Sequence, residues 1–82
     1  MRAESQSKEK PDMDFAETLR ERIKELRVER GLSQEELAKQ TGLSRSAISA
    51  WENGTRVPAV TAVAVLAEFF GVSTDFLLGL EN

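Results

Sequence analysis

"SQEELAKQTGLSRSAISAWENGTRVP", residues Ser33 to Pro58, decides how this chain folds. It opens on Ser33 with Glu36 three residues later. In that S-x-x-E spacing the two side chains satisfy each other's backbone N–H groups at a helix start. Leu37 and Ala38 then point inward, and the helix ends near Gln40. Thr41-Gly42-Leu43 follows as a tight turn, with Gly42 supplying a positive φ. Ser44 caps a further short helix, and Gly54 stops it. The spacing predicts two short helices meeting at a sharp corner.

The second of these, "SRSAISAWENG", has two unlike faces. At about 100° per residue with Arg45 at zero, Ala47, Trp51 and Ile48 fall at about 200°, 240° and 300°. Arg45, Ser49, Asn53, Ser46 and Ala50 fall between zero and about 140°. One face is apolar, with Trp51 as a core anchor. The other is narrow, small and polar, with one long cation near its N-terminal end. An ordinary solvated face looks different, as "RERIKELRVER" earlier in the chain shows. A face kept this low suits close approach to something flat or grooved.

Working outward, residues 1–13 are polar and mixed in charge, and are expected to be a disordered tail. Asp14 with Glu17 has capping-box spacing, and Phe15, Leu19, Ile23, Leu26 and Arg30 recur at helical intervals up to Gly31. Beyond Gly54, Thr55 to Val57 read as a loop. Pro58 is expected in the first turn of a fourth helix that ends at Gly71. Ser73 caps a short fifth helix, "TDFLL", closed by Gly79. The expectation is an all-α domain over residues 14–82 with five helices. The fourth, "AVTAVAVLAEFF", carries two apolar stripes, one of Val60, Val63, Ala64 and Ala67 and one of Ala62, Val65, Leu66 and Phe69. Either it is nearly enclosed or part of its surface takes a partner.

Composition excludes several functions. The chain has 82 residues, with no Cys and no His. That removes thiolate sites, the commonest general base and the commonest metal ligand. No catalytic residue, metal or cofactor is expected. The longest apolar stretch, Ala59 to Phe70, falls short of the roughly 20 residues that span a bilayer, and "MRAESQSKEKPDM" has no signal-peptide core. The expectation is a cytoplasmic protein with no membrane partner. Net charge is −3, which argues mildly against a nucleic-acid partner. Residues 59–82 carry acidic side chains and no basic ones, so this third should face away from any phosphate. Screening acts over about 8 Å, so a local face can still be basic.

Two capped helices around a glycine turn form a helix-turn-helix arrangement. The second helix of such a pair lies in the DNA major groove, and the first crosses the backbone. Small outer residues permit deep insertion, and an Arg near the N-terminus can reach guanine O6 and N7 together. The cap hydroxyls of Ser33 and Ser44 can also face phosphates. Lys39 complements its own helix dipole, and the charges of the first helix read as a solvated face without function.

"LSQEELAKQTGLSRSAISAWENGTRVP" with "FFGVSTDFLLG" closely resembles the phage-repressor-like helix-turn-helix group, the lambda-repressor, Cro and XRE proteins. The resemblance covers about residues 15–80. It implies a five-helix domain acting as a sequence-specific transcriptional regulator, a repressor rather than an activator, as a homodimer on a palindromic double-stranded operator. It implies base contacts at Arg45, Ser46, Ser49 and Ala50, the last able to touch only a thymine methyl. It implies backbone contacts at Gln34, Asn53, Thr55 and Arg56, and an ion pair between Arg27 and Glu52. Phe76, Leu77 and Leu80 are expected at the dimer interface. No room is expected after residue 71 for a separate ligand domain. The alternative is a helix-turn-helix antitoxin or adaptor that binds DNA weakly, motivated by the acidic C-terminal third.

Overall fold

A computed structural model describes residues 14–81; the tail expected over residues 1–13 lies outside them. Within them the chain is all helix: α1 (Phe15–Glu29), α2 (Gln34–Thr41), α3 (Arg45–Asn53), α4 (Val60–Phe70) and α5 (Thr74–Leu78). Most of the starts have a local chemical cause. Asp14 accepts from the Glu17 N–H at 2.9 Å, and Ser73 Oγ from the Phe76 N–H at 2.9 Å. At α2 the reciprocal box closes, with Glu36 N–H to Ser33 Oγ at 3.0 Å and Ser33 N–H to Glu36 Oε1 at 2.8 Å. The Ser33 N–H holds the Glu36 pKa below its ordinary value. The box therefore stabilises above the ordinary carboxylate range and is lost as pH falls through that lowered value.

The α2–α3 corner depends on Gly42, at φ +79°. Its N–H donates to Ala38 O at 2.9 Å. Thr41 Oγ1 donates to Leu37 O at 2.7 Å and accepts from the Leu43 N–H at 3.2 Å. That hydroxyl satisfies both sides of the turn, and Ser44 Oγ starts α3 by accepting from the Ala47 N–H at 3.1 Å.

Helix α4 departs from the expected start. Pro58 precedes the helix, and Ala59 is the N-cap, with no side-chain bond to the first turn. The expected apolar stripes of α4 also divide differently. Ala62, Val63, Leu66, Ala67 and Phe70 are buried, whereas Val60 and Ala64 face outward.

The core draws on every helix: Leu19 and Ile23 of α1, Leu37 and Ala38 of α2, Ala47, Ile48 and Trp51 of α3, five residues of α4, and Leu77 of α5. α1 packs on α3 and α5, while α2 packs on α3 and α4. Arg22 of α1 and Arg30, the C-cap of that helix, complete the far ends. Arg22 donates to Phe76 O and to Glu81 O, with its guanidinium 4.2 Å over the Phe76 ring. Arg30 donates to Phe70 O at 3.1 Å and lies over the Phe69 and Phe70 rings. Each cation meets the negative end of a short helix and an aromatic face together.

Neighbouring residues of α4 test the assigned core. Leu66 is fully buried, while Val65 is 37% exposed. Leu66→Ala is expected to cost about 2–5 kcal/mol and Val65→Ala well under half of that. Urea unfolding of the two variants measures the difference; equal losses would place α4 in a different rotation.

Candidate nucleic-acid interface

The site grows from a short helix held by its neighbours. At nine residues, α3 is below the length at which an isolated helix is stable in water. Ala47, Ile48 and Trp51 bury one face of it. Gly54, at φ +87°, ends it, and its N–H donates to Ala50 O and Trp51 O. The opposite side presents Arg45, Ser46 and Asn53 fully outward, with Ser49 and Ala50 half-buried between them. The five outer residues of the sequence reading therefore share one continuous face.

A second fixture holds the end of α3. Arg27 Nε donates to Glu52 Oε2 at 2.7 Å, and Arg27 Nη2 to Glu52 Oε1 at 2.9 Å. This is a bidentate pair with side chains 12% and 5% exposed. Bonding to Glu52 raises the Arg27 pKa further above its ordinary value. Arg27 Nη1 also donates to Leu32 O at 2.7 Å. Gln34 Nε2 donates to Glu52 Oε1 at 3.0 Å. One carboxylate thus ties α1, the α1–α2 turn, α2 and α3 together.

The loop after α3 is equally ordered. Asn53 Oδ1 accepts from the Thr55 N–H at 3.0 Å and from Thr55 Oγ1 at 2.8 Å. That leaves the Asn53 amide nitrogen as the free donor. It also shows how Thr55 is held. In the free protein both of its protons point inside the turn, where Thr55 orients Asn53. Ser33 accepts its cap bond and keeps a hydroxyl proton to donate; Ser44 accepts its cap bond and lies 3.4 Å from Ser46 Oγ, with either hydroxyl able to donate to the other. Arg45 and Arg56 are exposed and enter no ion pair among the described residues.

A chain of this geometry has recognisable relatives. The model of a helix-turn-helix family, HTH_3, matches residues 23–77. The chain belongs to that family. This helix-turn-helix domain is 45% identical over 51 residues to the cryptic phage CTXphi transcriptional repressor RstR of Vibrio cholerae, covering 62% of this chain and 46% of the relative. It is 41% identical over 62 residues to the transcriptional activator BcrR of Enterococcus faecalis, covering 76% and 30%. The chain thus spans less than half of the length of these two curated relatives. Among solved structures it is similar to the restriction-modification controller protein C.AhdI of Aeromonas hydrophila, with TM-score 0.69 and 34% identity over 78% of this chain and 96% of that one. A hypothetical transcription factor from Neisseria gives TM-score 0.75 and 33% identity over 89% and 84%. These relatives are named as regulators, not enzymes.

The helix-turn-helix domain corrects the expected partner surface. Leu77 is fully buried in the core of its own chain, so it has no surface to offer a partner. Phe76 is half-buried beneath Arg22. Leu80 alone of the three is well exposed, at 58%. The apolar groove lies elsewhere: Val57, Pro58, Val60, Ala64, Thr74 and Leu78 line about 300 Å³ between the loop, α4 and α5. Five helical residues of α5 span too little of a wheel to separate Leu77 from Phe76 in sequence. Among the described residues no helix is long and apolar enough to cross a membrane.

Truncating Glu52 tests the fixture. Glu52→Ala leaves a largely buried guanidinium with one carbonyl partner, at an expected cost of about 3–5 kcal/mol. Arg27→Met combined with Glu52→Leu is expected to recover most of that loss, as read from thermal and urea unfolding of the single and double variants.

Proposed function

We propose that this domain is a sequence-specific DNA-binding transcriptional regulator that reads the major groove with α3. The carrying observation is the outer face of α3. Its residues are short except for Arg45 at the first helical position, which enters no ion pair among the described residues, and the helix is anchored behind by its buried face. Arg45 is the side chain able to form two parallel bonds to guanine. Ser46 and Ser49 supply adaptable hydroxyls, and Ala50 supplies a methyl surface for thymine. Ser33, Gln34, Ser44, Asn53 and Arg56 hold the backbone on either side, and Thr55 acts through Asn53. The capping box favours this reading over a protein-interaction module. Of the two first-turn acids of α2, Glu36 turns its carboxylate to the Ser33 backbone, while Glu35 stays exposed.

The regulator acts as a homodimer on a palindromic operator. The groove from Val57 to Leu78 has no charged lining, and Val60 is 81% exposed there. A second copy packed on this surface buries the patch and sets two α3 helices on one side of the duplex, about 34 Å apart. The relatives' names include both a repressor and an activator. Repression is favoured because occupying the operator requires nothing beyond these surfaces.

Selection from a random-sequence duplex pool identifies the preferred site. On that site Arg45→Ala is expected to lose about 1–3 kcal/mol and to relax preference at one base pair per half-site. Arg56→Ala should weaken selected and scrambled duplexes by similar factors. Equal losses on both duplexes for Arg45→Ala would make it a backbone clamp and move base reading to Ser46 and Ser49.

Val60→Glu tests the dimer. The variant should fold, since residue 60 is solvent-exposed, but sediment as a monomer and bind the selected duplex far more weakly. A Val60→Glu protein that still binds as a dimer would remove the groove from the interface.

A further inference from the structure

The cations of α1 look alike in sequence, yet they meet very different fates. Arg22 and Arg30 cap the carbonyl ends of α5 and α4. Arg27 is neutralised by Glu52. Arg20 lies 3.6 Å from Glu17. Lys24 is exposed and is in no ion pair among the described residues. Its side chain lines an open depression of about 270 Å³ together with Arg27, Gln34, Ser49, Glu52 and Asn53.

The hydrogen bonds inside this depression fix what it can hold. Its one carboxylate is spent, because both oxygens of Glu52 accept from Arg27 and one also accepts from Gln34. Asn53 has its oxygen occupied by Thr55, so its amide N–H groups remain. Gln34 has given one amide proton to Glu52 and keeps the other. Ser49 has a hydroxyl proton and Lys24 an ammonium group. The remaining donors come from three helices, and with Glu52 balanced by Arg27 the free charge is that of Lys24. Such a set complements a small oxyanion and repels a cation. It also adjoins Ser49 and Asn53 on the proposed reading face.

Resting on the DNA-binding function proposed above, which already sets Gln34 and Asn53 on the backbone, we infer that Lys24 of α1 supplies the cation for the phosphodiester held at this depression in each half-site. The contact is charge-based and carries no base preference. It adds a third helix to the DNA contacts, since α2 and α3 supply the others.

The test uses the full chain and the duplex selected from the random pool. Lys24→Met should flatten the slope of log K against log salt by about 1.8 for a dimer, since each released phosphate contact is worth about 0.9. It should weaken selected and scrambled duplexes by the same factor and leave thermal unfolding unchanged. Neutral methylphosphonate substitution, walked along each strand, should find one position per half-site that weakens wild type but not Lys24→Met. Lys39→Gln, the same charge loss at the end of α2, should leave the slope unchanged. A wild-type protein that binds no duplex overturns both the inference and the DNA-binding function. Wild-type binding with an unaltered Lys24→Met slope, or with no methylphosphonate position that depends on residue 24, overturns the inference alone. An equal slope change in Lys39→Gln also overturns it, because the effect would then be one of net charge rather than of a seated phosphate.

Discussion

The carboxylate of Glu52 is the point on which the arrangement of α1, α2 and α3 depends. It is nearly excluded from solvent, and a buried carboxylate without partners is strongly destabilising. Here both oxygens are satisfied, by Arg27 from one side and Gln34 from another. Rotating or sliding α3 would strand that charge. Burial of Ile48 and Trp51 holds α3 against the core, but apolar contacts are non-directional. The bidentate pair adds direction, because a planar guanidinium accepts a carboxylate in few orientations. The outward aim of Arg45, Ser46, Ser49 and Asn53 follows from this combination.

The parts of the fold legible in sequence were those written in local chemistry. Ser33 with Glu36, Ser44 and Ser73 are caps whose partners lie three residues away, and Gly42 and Gly54 mark conformations that other residues avoid. Such signals do not depend on tertiary context. The wheel of α3 was legible because its apolar and polar faces contrast strongly. Helix α4 offered no such contrast, being apolar nearly all round. Periodicity shows which residues share a side but not which side meets the core, so it sets Val60 and Ala64 on one stripe with Val63 and Ala67. In the folded chain the first two face out and the latter two face in.

Side-chain commitments were the least legible part of the site. Thr55 is an ordinary loop residue in sequence, and only the fold shows both its protons turned toward Asn53 and the end of α3. The same holds for the arginines of α1. Arg20, Arg22, Arg27 and Arg30 look alike in "RERIKELRVER", but they project in different directions and meet different partners. A stripe through Arg20, Lys24 and Arg27 at helical spacing was available as a signal. It lacked meaning until Arg27 was seen against Glu52 and Lys24 beside Asn53.

This sorting of cations decides which of them an acidic chain has left to offer a phosphate. The net charge of −3 counts arginines that are already spent on helix ends and on Glu52. What matters to a polyanion is the set left over within a Debye length of its surface. Among the described residues that set includes Lys24, Arg45 and Arg56, which stand beside neutral donors from Ser33, Gln34, Ser44 and Asn53. Neutral donors bind phosphate without releasing counterions, so they contribute contact without steep salt dependence. The loop from Thr55 to Pro58 adds a coupling to this economy of charge. Arg56 faces the proposed backbone contact, and Val57 and Pro58, next in the chain, line the apolar groove. Packing a second copy against Val57 and Pro58 restricts the backbone that carries Arg56. In the proposed dimer this restriction would pre-order the proposed Arg56–phosphate contact, and by reciprocal linkage DNA holding Arg56 would favour that dimer.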